Sequence, residues 1–480
     1  MKQLSRNIHP RPALPERILQ FGGGNFMRAF VDWHIQTMNE KLDYGAGVVI
    51  VKPIDRPGPE DMINDQDGLY TLYLLGIEDG QPKKTHQVVD CVQRQIDAYA
   101  EFGALLQAGR NPELQVVFSN TTEAGIVYVD NDQLSDAPPS SFPGKLTRVL
   151  WERYQALGGS AESGLVIIPC ELIDRNGDKL REIIHQMADN WSLEAGFKHW
   201  LDAHCSFCNT LVDRIVPGYP KDNMEAITAE LGYQDHLVVE GELFHLWVIE
   251  GPEAAEKAFP APQAGLNVIF TDDLALYRTR KVRVLNGAHT AMVPVGYLAG
   301  LRTVKEAVED EAVGQFVRKL MFEEVIPHLP GDQADLHAYG EKILERFFNP
   351  YLKHYLSSIA LNSTSKFNTR LLPSLLTYVE ATGQLPQQIV LSMAALIRFY
   401  AGDVDGEAMP LKDDQDRIDW LADRWQAHAR GELSLLALAQ GVLAQTNWWD
   451  GQDLNKIPDL TEALAANLEV ILTQGVRGAL

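Results

Sequence analysis

Lys281-Val282-Arg283-Val284-Leu285-Asn286-Gly287-Ala288-His289 brings a primary amine, a carboxamide and an imidazole into one short stretch. On an α-helix, which advances about 100° per residue, Lys281, Asn286 and His289 fall at roughly 0°, 140° and 80°, while Val282 and Leu285 point elsewhere and anchor the helix. Reduction of a carbonyl needs a hydride donor, a proton donor and polar groups that hold the developing alkoxide. A lysine whose proton affinity is lowered by burial supplies a proton near neutral pH. An asparagine amide donates to the oxygen, and a histidine binds substrate hydroxyls or fixes the lysine. The same spacing equally describes a helix with an exposed lysine, an asparagine satisfied by backbone and a core histidine, and both readings stand on the residues alone.

A second chemical feature lies near the start of the chain. Arg17-Ile18-Leu19-Gln20-Phe21 reads as a first strand and runs into Gly22-Gly23-Gly24-Asn25-Phe26-Met27-Arg28-Ala29. Glycines let a backbone turn tightly and approach a pyrophosphate, and a following helix start favours negative charge. Met27 stands where the third glycine of G-x-G-x-x-G is usual, and an ordinary tight turn is the competing reading. An NAD site also calls for an acid facing the adenosine ribose. Asp55, after the strand ending Val51-Lys52, and Asp67, in Gln66-Asp67-Gly68-Leu69-Tyr70, are within reach by sequence; either equally reads as a solvated loop acid. Lys52 leaves NADP open.

Other constellations carry less. His204-Cys205-Ser206-Phe207-Cys208 has a C-x-x-C spacing, with Cys170 as a further thiol, but no second pair completes a zinc site, so buried thiols are expected. No G-x-S-x-G elbow supports serine hydrolysis. Tyr277 and Lys281 have Tyr-x-x-x-Lys spacing without the rest of a short-chain dehydrogenase pattern, and Tyr277 reads as packing. Trp448-Trp449 is expected to pack the end of the second half.

The elements that must position these groups follow from pattern and composition. Gly47–Val51, Leu114–Phe118 and Gly164–Pro169 are short, rich in Val and Ile and bounded by turn residues, as buried strands are. Such strands interleaved with helices imply a parallel sheet covered on both faces. Leu266–Phe270 reads as the last strand of this half. Beyond it Val313, Phe316, Val317, Leu320 and Met321 recur on one helix face, and similar spacing continues through Leu391–Tyr400 and Leu435–Leu443. The expected architecture is an α/β Rossmann-type domain with a parallel-rich sheet over residues 1–272, then a mainly α-helical substrate domain over 273–480. A chain of 480 residues is too long for one ordinary core. Apolar residues at 45% and charged ones at 22% sit near globular averages, and a net charge of −23 argues against nucleic acid as a partner. Four cysteines make no disulfide framework, and no apolar run is long enough to span a bilayer, so no membrane is expected and a cytoplasmic protein is.

In these segments the chain resembles the polyol-specific long-chain dehydrogenases, the mannitol dehydrogenase family. Lys281 to His289 matches its Lys-x-x-x-x-Asn-x-x-His pattern. Cys208-Asn209-Thr210-Leu211-Val212-Asp213-Arg214-Ile215-Val216-Pro217 resembles its Val-Asp-Arg-Ile signature, and Gly22-x-Gly24-x-Phe26-x-Arg28-Ala29 its nucleotide loop. Gln66–Tyr70, Trp247-Val248-Ile249, Arg346-Phe347-Phe348-Asn349-Pro350 and Ser365-Lys366-Phe367 extend the match over nearly the whole chain in family order. Phe118–Gly125 and Pro169–Gly177 are similar to a branch that acts on six-carbon sugar acids. The resemblance implies NAD as cofactor, no catalytic metal, Lys281 as general acid/base, Asn286 polarising the carbonyl and His289 binding substrate. It makes Ile18, Leu19, Gln20, Phe21, Gly22, Gly23, Gly24, Asn25, Phe26, Met27, Arg28 and Ala29 the cofactor segment, and favours Asp67 over Asp55 as ribose contact.

Two departures from the family qualify this. Many relatives have Cys-Asp-Asn where Cys170-Glu171-Leu172 stands, so a second carbonyl-binding amide is missing or supplied by Asn176. Many carry a glutamate three residues before the lysine, where Arg278 stands; Arg278 either biases the site toward an anion or is a surface arginine. The substrate carboxylate needs a cation with good geometry. Arg346 and Lys353, seven apart and read as one helix face, are the candidates, with Lys366 third; a structural ion pair is the alternative. The expected activity is NAD-dependent reduction of the ketone of a sugar acid. A different keto-hexuronate, a polyol, a zinc-dependent dehydrogenase or a non-catalytic NAD-binding regulator are the rivals.

Overall fold

The computed structural model describes residues 2–480 apart from Pro12, Asp79, Glu123 and Asp405, and apart from the side chains of Pro59 and Glu60. Glu123, in the segment Phe118–Gly125, therefore lies outside the described residues. The chain divides into two compact units: Met1–Glu78 with Lys83–Leu274, and Ala275–Leu480 with Asp79–Pro82.

The first unit is built on a six-stranded, all-parallel sheet. Its strands are β1 (Glu16–Phe21), β2 (Gly47–Lys52), β3 (Val92–Asp97), β4 (Val116–Ser119), β5 (Val166–Pro169) and β6 (Ser206–Phe207). They lie in the order β3-β2-β1-β4-β5-β6. Alternate side chains feed two separate cores, as the two-residue period of a strand requires. Ile18, Val48, Ile50, Val116, Phe118 and Ile168 enter one layer, and Leu19, Phe21, Val49, Val51, Val117 and Ile167 the other. Burial on both faces is why these strands are apolar throughout.

The run Leu266–Phe270 is a strand of this unit, Val268–Thr271, but it lies outside the parallel sheet. It pairs in parallel with Leu246–Glu250, which pairs antiparallel with Asn209–Asp213. A third sheet joins Val239–Glu242, Tyr70–Glu78 and Gln81–Val89.

The second unit is mainly helical, with a two-stranded ribbon at Asp403–Val404 and Glu407–Ala408. Val313, Phe316 and Val317 are buried on the helix Glu311–Lys319, and Leu320 and Met321 continue it as a π-turn, Leu320–Val325. A second π-turn, Lys281–Asn286, joins the helices Ala275–Arg280 and Gly287–Leu298. Trp449 is buried with its indole N–H donating to the carbonyl of Val442 at 2.9 Å, beside Trp448.

Candidate functional site

The π-turn changes the geometry of the Lys281 stretch. Gly287 N–H reaches back five residues to the carbonyl of Val282. In i→i+5 bonding, residues five apart come onto the same side of the helix, whereas α geometry would leave them roughly 140° apart. Lys281 and Asn286 therefore share a face, and His289, three residues further along the following α-helix, continues it. Val284 and Leu285 are buried and hold the turn in place, while Lys281 and Asn286 are only half-buried. π-turns inside helices concentrate at functional sites.

His289 is almost fully buried, at 8% exposure, and its Nε2 has no hydrogen-bond partner among the described residues. Its ring lies 4.7 Å from Phe347 and 5.0 Å, edge-on, from His354. Burial, then His354, Arg346, Arg370 and Lys366, hold it well below the usual histidine range, which keeps the imidazole neutral. Arg346, in the last turn of the helix Gln333–Phe347, is buried. Lys366 sits on the helix Ser363–Arg370 and donates to the carbonyl of Ile359 at 2.7 Å. Arg370 ends that helix, with Nη1 3.2 Å from the hydroxyl of Thr290. Four cationic or protonatable side chains thus surround the His289 ring, a setting suited to an anion.

The structure corrects three sequence expectations. Lys353 does not share a helix face with Arg346: the helix ends at Phe347, and Lys353 is exposed in the irregular segment that follows. Pro350 forces this, because proline disfavours helical geometry at the residue before it. Asn176 has no amide left for substrate. Its Nδ2 donates to Pro169 O, Glu171 O and Thr210 Oγ1 at 3.0 to 3.1 Å, and its Oδ1 accepts from the amides of Gly177 and Thr210. Asp67 stands at the wrong end of the sheet for a ribose. Its neighbour Gly68 packs against the Val92 carbonyl at the start of β3, about 15 Å by strand rise from the end where β1 leads into the glycine loop. Asp67 instead accepts the amide of Arg6 at 2.9 Å. Asp55, in the loop leaving β2, lies near Tyr99 just beyond β3, at the correct end.

The glycine loop itself fits a dinucleotide. Gly22 has φ +112°, and a Cβ there would come within 2.9 Å of the Asn120 carbonyl, so only glycine lets the loops after β1 and β4 close together. Gly24 is exposed, and a Cβ there would meet nothing within 4 Å, which leaves open space for a ligand's approach. The side chains of Ile18, Leu19, Gln20, Phe21, Met27 and Ala29 are buried and form the scaffold. Arg28 is scaffold too: its guanidinium donates to Gly23 O, Leu237 O and Asn25 Oδ1 and lies over the Tyr70 ring. Asn25 and Phe26 are half-buried at the start of the first helix. Glu171, from the departing Cys170-Glu171-Leu172 segment, braces the loop after β4 by accepting from Ser119 Oγ and from the amide and hydroxyl of Thr121. Lys52 is held by Asp61 at 2.7 Å and Asp97 at 3.3 Å.

The remaining candidates fall away from these two centres. Tyr277 packs on Arg280, which lies 5.0 Å from its ring and 4.2 Å from that of Tyr339. Arg278 is exposed. The four cysteines are free, and burial pushes the Cys205 and Cys208 thiols up to about 12. Among the described residues no group of His, Cys, Asp or Glu is arranged to hold a metal, and no helix is long and apolar enough to cross a membrane.

A parallel sheet in this strand order, with a glycine turn leaving its central first strand, defines a Rossmann-type dinucleotide fold. The chain belongs to the mannitol dehydrogenase family: residues 16–261 match the mannitol dehydrogenase Rossmann domain and residues 273–472 the mannitol dehydrogenase C-terminal domain. It is 45% identical over 480 residues to an altronate oxidoreductase of Yersinia pestis, covering 100% of this chain and 99% of the relative. It is 46% identical over 483 residues to one of Bacillus subtilis strain 168, covering 100% and 98%. Among solved structures, a D-sorbitol dehydrogenase in substrate-free form superposes with a TM-score of 0.83 at 21% identity, covering 99% of each chain. A Pseudomonas fluorescens mannitol 2-dehydrogenase, in a ternary complex with NAD and D-mannitol, gives 0.71 at 24% identity, covering 100% and 98%. Both share the fold.

Proposed function

We propose that the protein is an NAD-dependent oxidoreductase that interconverts D-altronate and D-tagaturonate, acting in the cytoplasm, where its four free cysteines stay reduced. One observation carries the reading: Lys281 and Asn286 are stacked by a π-turn next to a neutral His289 ringed by Arg346, Arg370 and Lys366. That is a carbonyl-reducing set beside an anion-binding set, and the full-length relatives at 45% and 46% identity are altronate oxidoreductases.

The chemistry that NAD supplies when bound is hydride transfer to or from the carbon bearing the oxygen. Lys281 gives its proton to that oxygen in the reductive direction and takes it back in the oxidative one. The Asn286 amide donates to the same oxygen as negative charge builds on it. His289, being neutral, offers one ring donor and one acceptor to a substrate hydroxyl. Arg346 and Lys366 add positive potential for the carboxylate. The cofactor would lie along Gly22–Phe26 with Asp55 the acid nearest the ribose. Lys52, already matched by Asp61 and Asp97, offers no free charge to the extra phosphate of NADP, which supports NAD.

The test is NADH oxidation against a panel of D-tagaturonate, D-fructuronate, D-tagatose and D-fructose. D-Tagaturonate should lead in kcat/KM, by about tenfold or more over the neutral ketoses. Preference for D-fructuronate would move the protein to the neighbouring hexuronate reaction. Preference for a neutral ketose would remove the carboxylate from the proposal. NADH binding without turnover of any member would leave a regulator.

A further inference from the structure

We propose that Arg370 is the residue that selects a carboxylate-bearing substrate over the corresponding neutral sugar, its guanidinium gripping the carboxylate beside His289. The inference rests on the keto-acid reading above and deepens it.

Arg370 is linked to the reacting groups by a single hydroxyl. Its Nη1 donates to Thr290 Oγ1 at 3.2 Å, and Thr290 Oγ1 donates to the carbonyl of Asn286 at 2.8 Å. Thr290 directly follows His289, and Arg370 is within electrostatic reach of the His289 ring. The guanidinium therefore sits against the helix turn that carries the proposed alkoxide-binding amide.

Its partners are unusual for this unit. Arg302 pairs with Glu407, Arg318 with Glu341, Arg417 with Asp414 and Arg477 with Asp310. Arg370 is largely withdrawn from water, yet among the described residues its side chain meets a neutral hydroxyl and no carboxylate. A guanidinium has five N–H donors in a planar fork that matches a carboxylate bidentately. Desolvating that charge without a counter-ion is costly unless an anion completes it.

The neighbouring cations are less available. Lys366 Nζ is tied to the carbonyl of Ile359, with Asp413 nearby to balance its charge. Arg283, on the π-turn, also meets a hydroxyl among the described residues, Ser374 at 3.2 Å, but is not among the charges that act on His289. Among the described residues, Arg370 combines a place beside His289 with a neutral hydroxyl as its hydrogen-bond partner.

The experiment compares wild type, Arg370→Gln and Arg370→Lys on D-tagaturonate and D-tagatose, which differ at the carboxylate. Arg370→Gln should raise KM for the keto-acid about 10- to 100-fold while kcat/KM for the neutral ketose stays within about threefold. Arg370→Lys, which keeps the charge and loses the fork, should fall between. Parallel losses on both sugars, or no change on either, overturn the assignment. Calorimetric binding of D-altronate to the NAD-loaded protein separates this from the activity reading. Arginine-dependent binding by a wild type that turns over no keto-hexuronate keeps Arg370 and sinks the reaction. Equal binding by wild type and Arg370→Gln, or none by wild type, overturns Arg370.

Discussion

Each unit sets a buried histidine against a half-buried one, and the two pairs do different things with the same side chain. In the first unit His34 and His245 sit edge-on at 5.3 Å among Phe30, Trp33, Trp247 and Phe259. His34 Nδ1 faces the Phe30 carbonyl at 2.6 Å, and His245 Nε2 accepts the amide of Asn267 at 2.9 Å. Arg214 stacks 4.0 Å over Trp33 and donates to the carbonyls of Ala29, Leu243 and Phe244. In the second unit His289 and His354 stand among Arg346, Arg370 and Lys366. Burial lowers all four histidines, His245 to about 3. Neutrality and burial therefore do not mark a site. The mark is what the adjacent cations bind: backbone carbonyls use up Arg214, whereas among the described residues Arg370 meets a hydroxyl.

The comparison breaks most sharply at the amine. Lys281→Ala should cut kcat about 10²–10⁴-fold, and Asn286→Ala about 10²–10³-fold, each with the thermal midpoint nearly unchanged. A Lys281→Ala enzyme as fast as its parent would return the second unit to the status of the first, a packed helix. Next come the histidines themselves. His34→Ala should cost about 2–4 kcal/mol of stability by opening the aromatic cluster and leave KM for substrate alone. His289→Gln should do the reverse, raising KM about tenfold or more at a stability cost of about 1 kcal/mol or less. Urea melts with steady-state kinetics on both variants decide it.

The glycine loop sharpens the contrast inside the first unit. Gly22→Ala should lose about 1–3 kcal/mol, since φ +112° and the 2.9 Å approach to Asn120 both oppose a side chain. Gly24→Ala, with nothing within 4 Å, should melt as the parent does yet raise KM for NADH. An unchanged KM would show that the loop is a turn and nothing more.

The smallest effect concerns two buried carboxyls. Asp32, fully buried and bonded by the Tyr70 hydroxyl, and Glu324, which accepts the amides of Gln388 and Ile389, are both pushed up to about 7 by burial. Between the ordinary carboxyl value and 7 the folded state holds a proton that the unfolded chain has released. Stability therefore falls as pH rises through that window. Glu324→Gln, which cannot ionise, should flatten part of this slope, read from thermal melts between pH 5 and 8, while losing one of the two acceptors that hold Gln388 and Ile389. A steeper slope in the variant would reverse the sign assigned to Glu324.

The parallel sheet was legible because a strand buried on both faces must be apolar at every position, as Val48 to Val51 and Val166 to Ile168 are. The sheet that Leu266–Phe270 joins was not, because an apolar run carries no information about its neighbour. Lys281, Asn286 and His289 could be picked out by type, but their true alignment could not: no residue in Lys281–Asn286 announces i→i+5 bonding. The resemblance favours Asp67, but a motif match carries no direction, and the segment after β2 runs back toward the start of β3. Two signals in the sequence bear on the cations of the site. Pro350 ends the helix before Lys353, and Arg370 lies four residues, one helical turn, beyond Lys366.

The π-turn also ties the machinery to the backbone bonding of one short segment. A wide turn holds one residue more than the α-turn it replaces, so removing a single residue between Lys281 and Asn286 would let the segment relax to an ordinary helix. The flanking helices could keep their packing, and the amine and the amide, then four residues apart on an α-helix and about 40° around its axis, would stay on one face. The extra residue lets a five-residue spacing do what a four-residue spacing does in an ordinary helix, so it is straightening the full-length segment, by roughly 140°, that would part proton transfer from alkoxide binding.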